Sequence, residues 1–202
     1  GGLSLSAFVF TLMYLEEPEK HRQSDAAIKT LFSGFKYLTS FIIAFICLSQ
    51  LIYMIMFSGF ETTLSIFTQY EFGLTEKDNS WLFVYAGVLG LIIQGSIARK
   101  TPKNMVLVIA LGFAAVAIGF LGFSKSFNLI PFLAFLAIMS LGIALVNVYL
   151  PSLMSKMASS ENQGAIMGVF EGVSSLSRIL GPLIAYSSMM SVLRFGYFIY
   201  GL

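Results

Sequence analysis

Ionisable and redox-active chemistry is scarce in this chain. Of 202 residues only 11% are charged, whereas an ordinary soluble domain carries roughly a quarter. Cys47 is the single cysteine and His21 the single histidine, which excludes an internal disulfide and a cysteine or histidine metal cluster. Cys47 sits in an apolar run and reads as a small buried side chain; His21 sits in a polar stretch and reads as solvated. Aspartate occurs only at Asp25 and Asp78, both between apolar runs. Such an inventory yields no Ser-His-Asp set, no glycine-rich phosphate loop and no zinc motif. No enzyme is expected, and no metal or organic cofactor. A net charge of +2 does not point to nucleic acid, and there is no low-complexity segment.

What fills the chain instead is hydrocarbon. Hydrophobic residues make up 57% of it, in runs long enough to cross a bilayer, for which about 20 apolar residues suffice. This predicts an all-α, polytopic membrane helix bundle. Complete spans are expected at Leu38–Thr68, Trp81–Ala98, Met105–Phe123 and Leu129–Met157, and a further one at Gln163–Ala185. The first is long and must tilt, protrude or break at Gly59. The fourth contains Pro131 and Pro151, and proline removes a helix hydrogen bond. Gly1–Leu15 and Val192–Leu202 are apolar but short, and the expectation is that each is part of a span in a longer protein.

The charges that exist lie in the connections. Segment 16–37 holds Lys20, Arg22, Lys29 and Lys36, with Ala26–Lys36 patterned as an interfacial amphipathic helix. Arg99, Lys100, Lys103 and Lys156 fall on the same side if loops alternate, whereas the other side has Lys77 and Lys125, with Arg194 a further candidate for it. By the positive-inside rule the first side is cytoplasmic. Polar connections are expected at Glu71–Ser80, Lys125–Asn128, Ala158–Asn162 and Ser187–Ser191.

Charges within spans are expensive and usually face a bundle interior or a watery cavity. Three occur. Glu61 follows Gly59 in a stretch rich in Thr and Ser; it is either a substrate-facing, protonatable carboxylate or a solvated residue past the membrane. Glu171 and Arg178 lie seven residues apart, hence on a similar helix face, with Gly164, Gly168 and Gly172 forming a small-residue stripe on the same helix. They read either as a charged cavity wall or as a structural ion pair. Gln50, Tyr53, Gln94 and Asn147 are uncharged polar residues in spans, each suited equally to an interhelix bond or a substrate contact. The many Phe and Met residues would suit a lipophilic ligand.

Three stretches carry a family resemblance. GAIMGVFEGVSSLSRILGPLIA at Gly164–Ala185, FSGFETTLSIFTQY at Phe57–Tyr70, and GSIARKTPKN at Gly95–Asn104 resemble helix eleven, helix seven and the loop between helices eight and nine of the major facilitator superfamily. The likeness is greatest to its drug:proton antiporter branch and to tetracycline-transporter-like proteins, which include organic-anion carriers. It implies the C-terminal six-helix half of that fold: residues 1–15 as the end of helix six, 16–37 as a cytoplasmic interdomain loop, and 38–202 as helix seven to a truncated helix twelve. It implies a missing N-terminal half as partner, a lipid bilayer around both, and a small-molecule substrate moved by alternating access. It also places Glu61, Asn147, Glu171 and Arg178 near a substrate and proton pathway, to which Gln50 and Tyr53 are added as polar candidates from the same spans, and implies a cytoplasmic gating turn at Gly95 and Arg99, although that turn lacks the family's usual acidic residue. The expected function is therefore secondary active transport, proton-coupled efflux of drug-like solutes or organic anions. An anion channel or leak on the same fold, or a non-transporting membrane scaffold, are the alternatives.

Overall fold

The computed structural model describes residues 2–14, 40–97, 102–123, 125–126, 128–159 and 162–200. The segment 16–37, with its expected amphipathic helix, and the gating residue Arg99 lie outside the described residues. Within them every regular element is helical, in agreement with the all-α expectation: α1 Gly2–Tyr14, α2 Phe41–Phe72, α3 Glu76–Ile97, α4 Met105–Phe123, α5 Leu129–Met157 and α6 Gln163–Tyr200. Helices α2 to α5 are each long and apolar enough to cross a membrane. Only helices satisfy their own backbone without water, so an apolar chain of this kind has little choice of element.

Two close pairs make up the bundle, α4 with α5 and α2 with α6, and α5 also touches α2, α3 and α6. Missing side chains make these approaches possible. A Cβ on Gly142 of α5 would stand 2.5 Å from the Gly112 carbonyl oxygen and 2.8 Å from the Val116 nitrogen of α4. In the other pair, a Cβ on Gly181 would come within 2.6 Å of the Ile55 carbonyl and the Ser58 hydroxyl. In lipid, where burial between helices brings no hydrophobic gain, close van der Waals contact of this sort drives association. Phe132, Leu136, Met139, Val146 and Met154 of α5 are at most 1% exposed, which marks this helix as the centre of the core.

Several boundaries differ from expectation, each for a local reason. α2 does not break at Gly59, because that glycine serves contact with Gly181 and Ala185 rather than a bend. The polar loop expected at Glu71–Ser80 shrinks to Gly73–Thr75. Gly73 adopts φ 66° and its N–H bonds to the Gln69 carbonyl, a left-handed helix end that glycine permits. Thr75 then starts α3: the Asp78 carboxylate accepts from the Thr75 N–H at 2.9 Å and from its hydroxyl at 2.7 Å, and the Thr75 hydroxyl accepts from the Asp78 N–H at 3.4 Å, a reciprocal cap. Pro131 falls in the first turn of α5, where no amide donor is needed. The turn expected at Ser187–Ser191 is absent: α6 runs unbroken through it, and the Ser188 hydroxyl donates back to the Ile184 carbonyl at 2.8 Å.

The glycine stripe of α6 also behaves unexpectedly. A Cβ on Gly164, Gly168 or Gly172 would meet nothing within 4 Å, so among the described residues these three pack against no helix; the close approach belongs to Gly181. Gly142→Ala should therefore lower stability by about 1–3 kcal/mol through overpacking, while Gly168→Ala should leave it unchanged or raise it by up to ~1 kcal/mol through helix propensity. Thermal unfolding of the purified protein in one detergent measures both; equal losses would contradict this packing.

Candidate functional site

Helix α3 is held mainly by α5 and only lightly by α2. A slot of about 350 Å³ remains among the three, within the usual size range for small-molecule sites. Its aromatic walls are Phe57 and Phe60 of α2 and Phe83 of α3, and its polar groups are Glu61, Gln94, Ser140 and Asn147. Phe57, Phe60, Glu61 and Leu64 share one face of α2 because they recur at three- and four-residue spacing. Gly87 and Gly90 form the α3 wall, and a Cβ on either would meet nothing within 4 Å. None of the described residues lining the slot is basic.

One end of the slot is fixed by a hydrogen bond. Tyr53 is 3% exposed, and its hydroxyl donates to Asn147 Oδ1 at 3.1 Å. This joins α2 to α5 and engages the oxygen of the amide, leaving the Nδ2 hydrogens for another acceptor. Tyr53 is itself seated against Phe57, with ring centroids 6.1 Å apart, and edge-on to Phe113 at 6.0 Å. Glu61 lies eight residues along α2 from Tyr53, a rise of about 12 Å.

Two further polar side chains of α2 serve its contact with α6. Gln50 is buried and its Nε2 donates to the Ser174 hydroxyl at 2.8 Å, while that hydroxyl donates to the Phe170 carbonyl at 3.0 Å. Ser58 answers a proline. Pro182 cannot donate to the carbonyl of Arg178 four residues earlier, and the Ser58 hydroxyl donates to that carbonyl instead, at 3.3 Å.

The sequence-identified residues thus fall into four places. Glu61 and Asn147 line the slot, with Tyr53 bonded at its edge and Gln94 on its α3 side. Gln50 is engaged in the α2–α6 contact. Glu171 and Arg178 are exposed on α6 and do not line the slot; neither makes an ion pair among the described residues. Gly95 is exposed near the end of α3. The aromatic residues Phe57, Phe60 and Phe83 and the hydroxyl of Ser140 were not singled out from the sequence; the spacing of Phe57 and Phe60 around Glu61 was the available signal. No group of three metal-ligating side chains occurs among the described residues. A second cavity of about 350 Å³, between α2, α4 and α6, is walled by apolar residues such as Met56, Phe67, Phe120 and Ile184, with Thr63.

Comparison with known proteins agrees with this architecture. Residues 1–182 match the family model of the Major Facilitator Superfamily. Major facilitator superfamily domain-containing protein 10 of Homo sapiens is 30% identical over 140 residues, covering 67% of this chain and 30% of that protein. Its Mus musculus counterpart is 28% identical over 137 residues, with the same coverage. Multidrug resistance protein 2 of Bacillus subtilis (strain 168) is 26% identical over 150 residues, covering 72% of this chain and 35% of that protein. The matched part thus spans about a third of the length of these relatives.

Gln50→Leu should cost about 0.6–1.7 kcal/mol, the range for one interhelical hydrogen bond in a membrane protein, because Ser174 keeps its bond to the Phe170 carbonyl. Denaturant unfolding in mixed micelles tests this. A loss well above that range would mean that Gln50 does more than join α2 to α6.

Proposed function

The chain belongs to the major facilitator superfamily and is a multi-pass integral membrane protein, and from that premise we propose that it is the C-terminal half of a secondary active transporter. The slot between α2, α3 and α5 is this half's share of the substrate site. The observation that carries the reading is Glu61: an exposed carboxylate with no cationic partner among the described residues, beside aromatic walls and amides, on a helix long and apolar enough to span a bilayer. A charge at that depth is expensive, and it is retained where it binds something in turn.

The other half is part of this proposal. Gly164, Gly168, Glu171, Gly172, Ser175 and Arg178 are all exposed along one side of α6, and the glycines there have open space before them. A face bearing two charges does not suit lipid. It suits a second helical unit with water between, the N-terminal half that the family fold supplies. Rocking of one half against the other would expose the slot to each side alternately.

Proton coupling follows from the same carboxylate. Protonating Glu61 removes its charge, lowers the cost of enclosing the slot, and changes the affinity for any charged substrate. Drug-like organic solutes fit the aromatic walls, and the name of the Bacillus subtilis relative, a multidrug resistance protein, supports that class.

The test is flux in vesicles carrying the full-length protein under an imposed pH gradient, with rhodamine 123 and fluorescein as probes. Saturable, gradient-dependent flux of at least one dye is expected, falling at least tenfold in Glu61→Gln. Unitary current steps in a planar bilayer would establish a channel instead, and protein-independent flux of both dyes would favour a scaffold.

A further inference from the structure

Building on the transporter reading, we propose that the α2–α3–α5 slot takes a flat aromatic organic cation, its positive charge at Glu61 and a hydrogen-bond acceptor of the substrate at Asn147. The family resemblance included organic anions among the expected substrates, and Arg178, whose guanidinium suits carboxylates and sulfonates, would be the residue to meet them. The structure puts Arg178 on an exposed part of α6, away from the slot. Among the described residues lining the slot, Glu61 is the one ionisable side chain and none is basic. An anion placed there would meet a carboxylate with nothing to offset it. A cation meets an opposite charge and the faces of aromatic rings, which attract positive charge through their quadrupoles; Phe57, Phe60 and Phe83 supply them.

The far end selects a different group. Because the Tyr53 hydroxyl donates to Asn147 Oδ1, the amide presents its Nδ2 hydrogens, so that end of the slot offers a donor while Glu61 offers an acceptor. Tyr53 acts as a positioning residue: it is buried, does not line the slot, and determines which way the Asn147 amide points. Glu61 lines the slot from α2 and Asn147 lines it from α5. The slot therefore has a polarity, and a substrate with a cationic ring at one end and a carbonyl at the other matches it.

Three dyes of one xanthene skeleton separate these contributions. Rhodamine 123 is a cation with an ester carbonyl, pyronin Y a cation without one, and fluorescein an anion. Direct binding to the full-length protein in nanodiscs, read by fluorescence anisotropy, should show saturable binding of both cations, with fluorescein failing to displace them. Glu61→Gln should weaken both cations at least tenfold, and Glu61→Asp should recover part of that loss. Tyr53→Phe should weaken rhodamine 123 several-fold while changing pyronin Y less than twofold. Cation binding within twofold of wild type in Glu61→Gln, or fluorescein competing at equal affinity, would overturn the assignment. Equal losses of both cations in Tyr53→Phe would overturn the role given to Asn147. Gradient-driven flux of fluorescein without cation binding would remove the cation assignment and leave the transporter reading intact; cation binding at Glu61 without flux of any dye would do the reverse.

Discussion

A bilayer core offers no water to a buried hydrogen-bonding group, and that constraint governs how the buried polar side chains of this protein are placed. Among the described residues no buried side-chain nitrogen or oxygen lacks a partner. Ser126, Ser140 and Ser174 satisfy themselves by donating to the carbonyl one turn back. Thr68 and Asn79 satisfy each other where α2 turns into α3. Gln50, Tyr53 and Ser58 reach across to a neighbouring helix. The groups left over are the full charges, Glu61, Glu171 and Arg178, and all three lie at exposed positions. Polar atoms that can be paired internally hold the bundle together, whereas these charges stay at its exposed positions, as expected for groups that are costly to enclose.

Packing distributes those leftovers unevenly. The α4–α5 and α2–α6 pairs close on glycine, with backbone against backbone. α3 has no such close approach: Gly87 and Gly90 face open space, and the slot opens beside them. The same residue type thus does opposite work. Gly142 and Gly181 let helices touch, while Gly87 and Gly90 keep a wall smooth and set back.

The three charges separate into two environments with different chemistry. Glu61 stands among rings and amides in a defined volume, where differential affinity for a proton or a cation can bias a conformational equilibrium. Glu171 and Arg178 stand on an open helix face beside three unpacked glycines, a surface suited to a mobile interface. Prolines support both. Pro182 leaves the Arg178 carbonyl to Ser58, which ties the charged stretch of α6 to α2 at its strongest kink-forming residue, and Pro151 lies one turn beyond Asn147 in α5.

Helix existence, number of apolar runs and membrane residence were legible in the sequence, because a bilayer demands long apolar stretches and a composition poor in charge regardless of what packs on what. Glu61, Glu171, Arg178 and Asn147 were legible as candidates for the same reason: polar residues in such stretches are costly. Which of them share a site was not. The glycine spacing of Gly164, Gly168 and Gly172 looked like a contact face, yet Gly181 makes the contact, since periodicity places residues on one side of a helix without saying what lies opposite. Likewise the link from Tyr53 to Asn147 spans 94 positions of chain, and the rings that flank Glu61 come from two helices. Interhelical distance is a property of the packed bundle, and only that packing decided that Glu61 faces amides and aromatic rings while Arg178 does not.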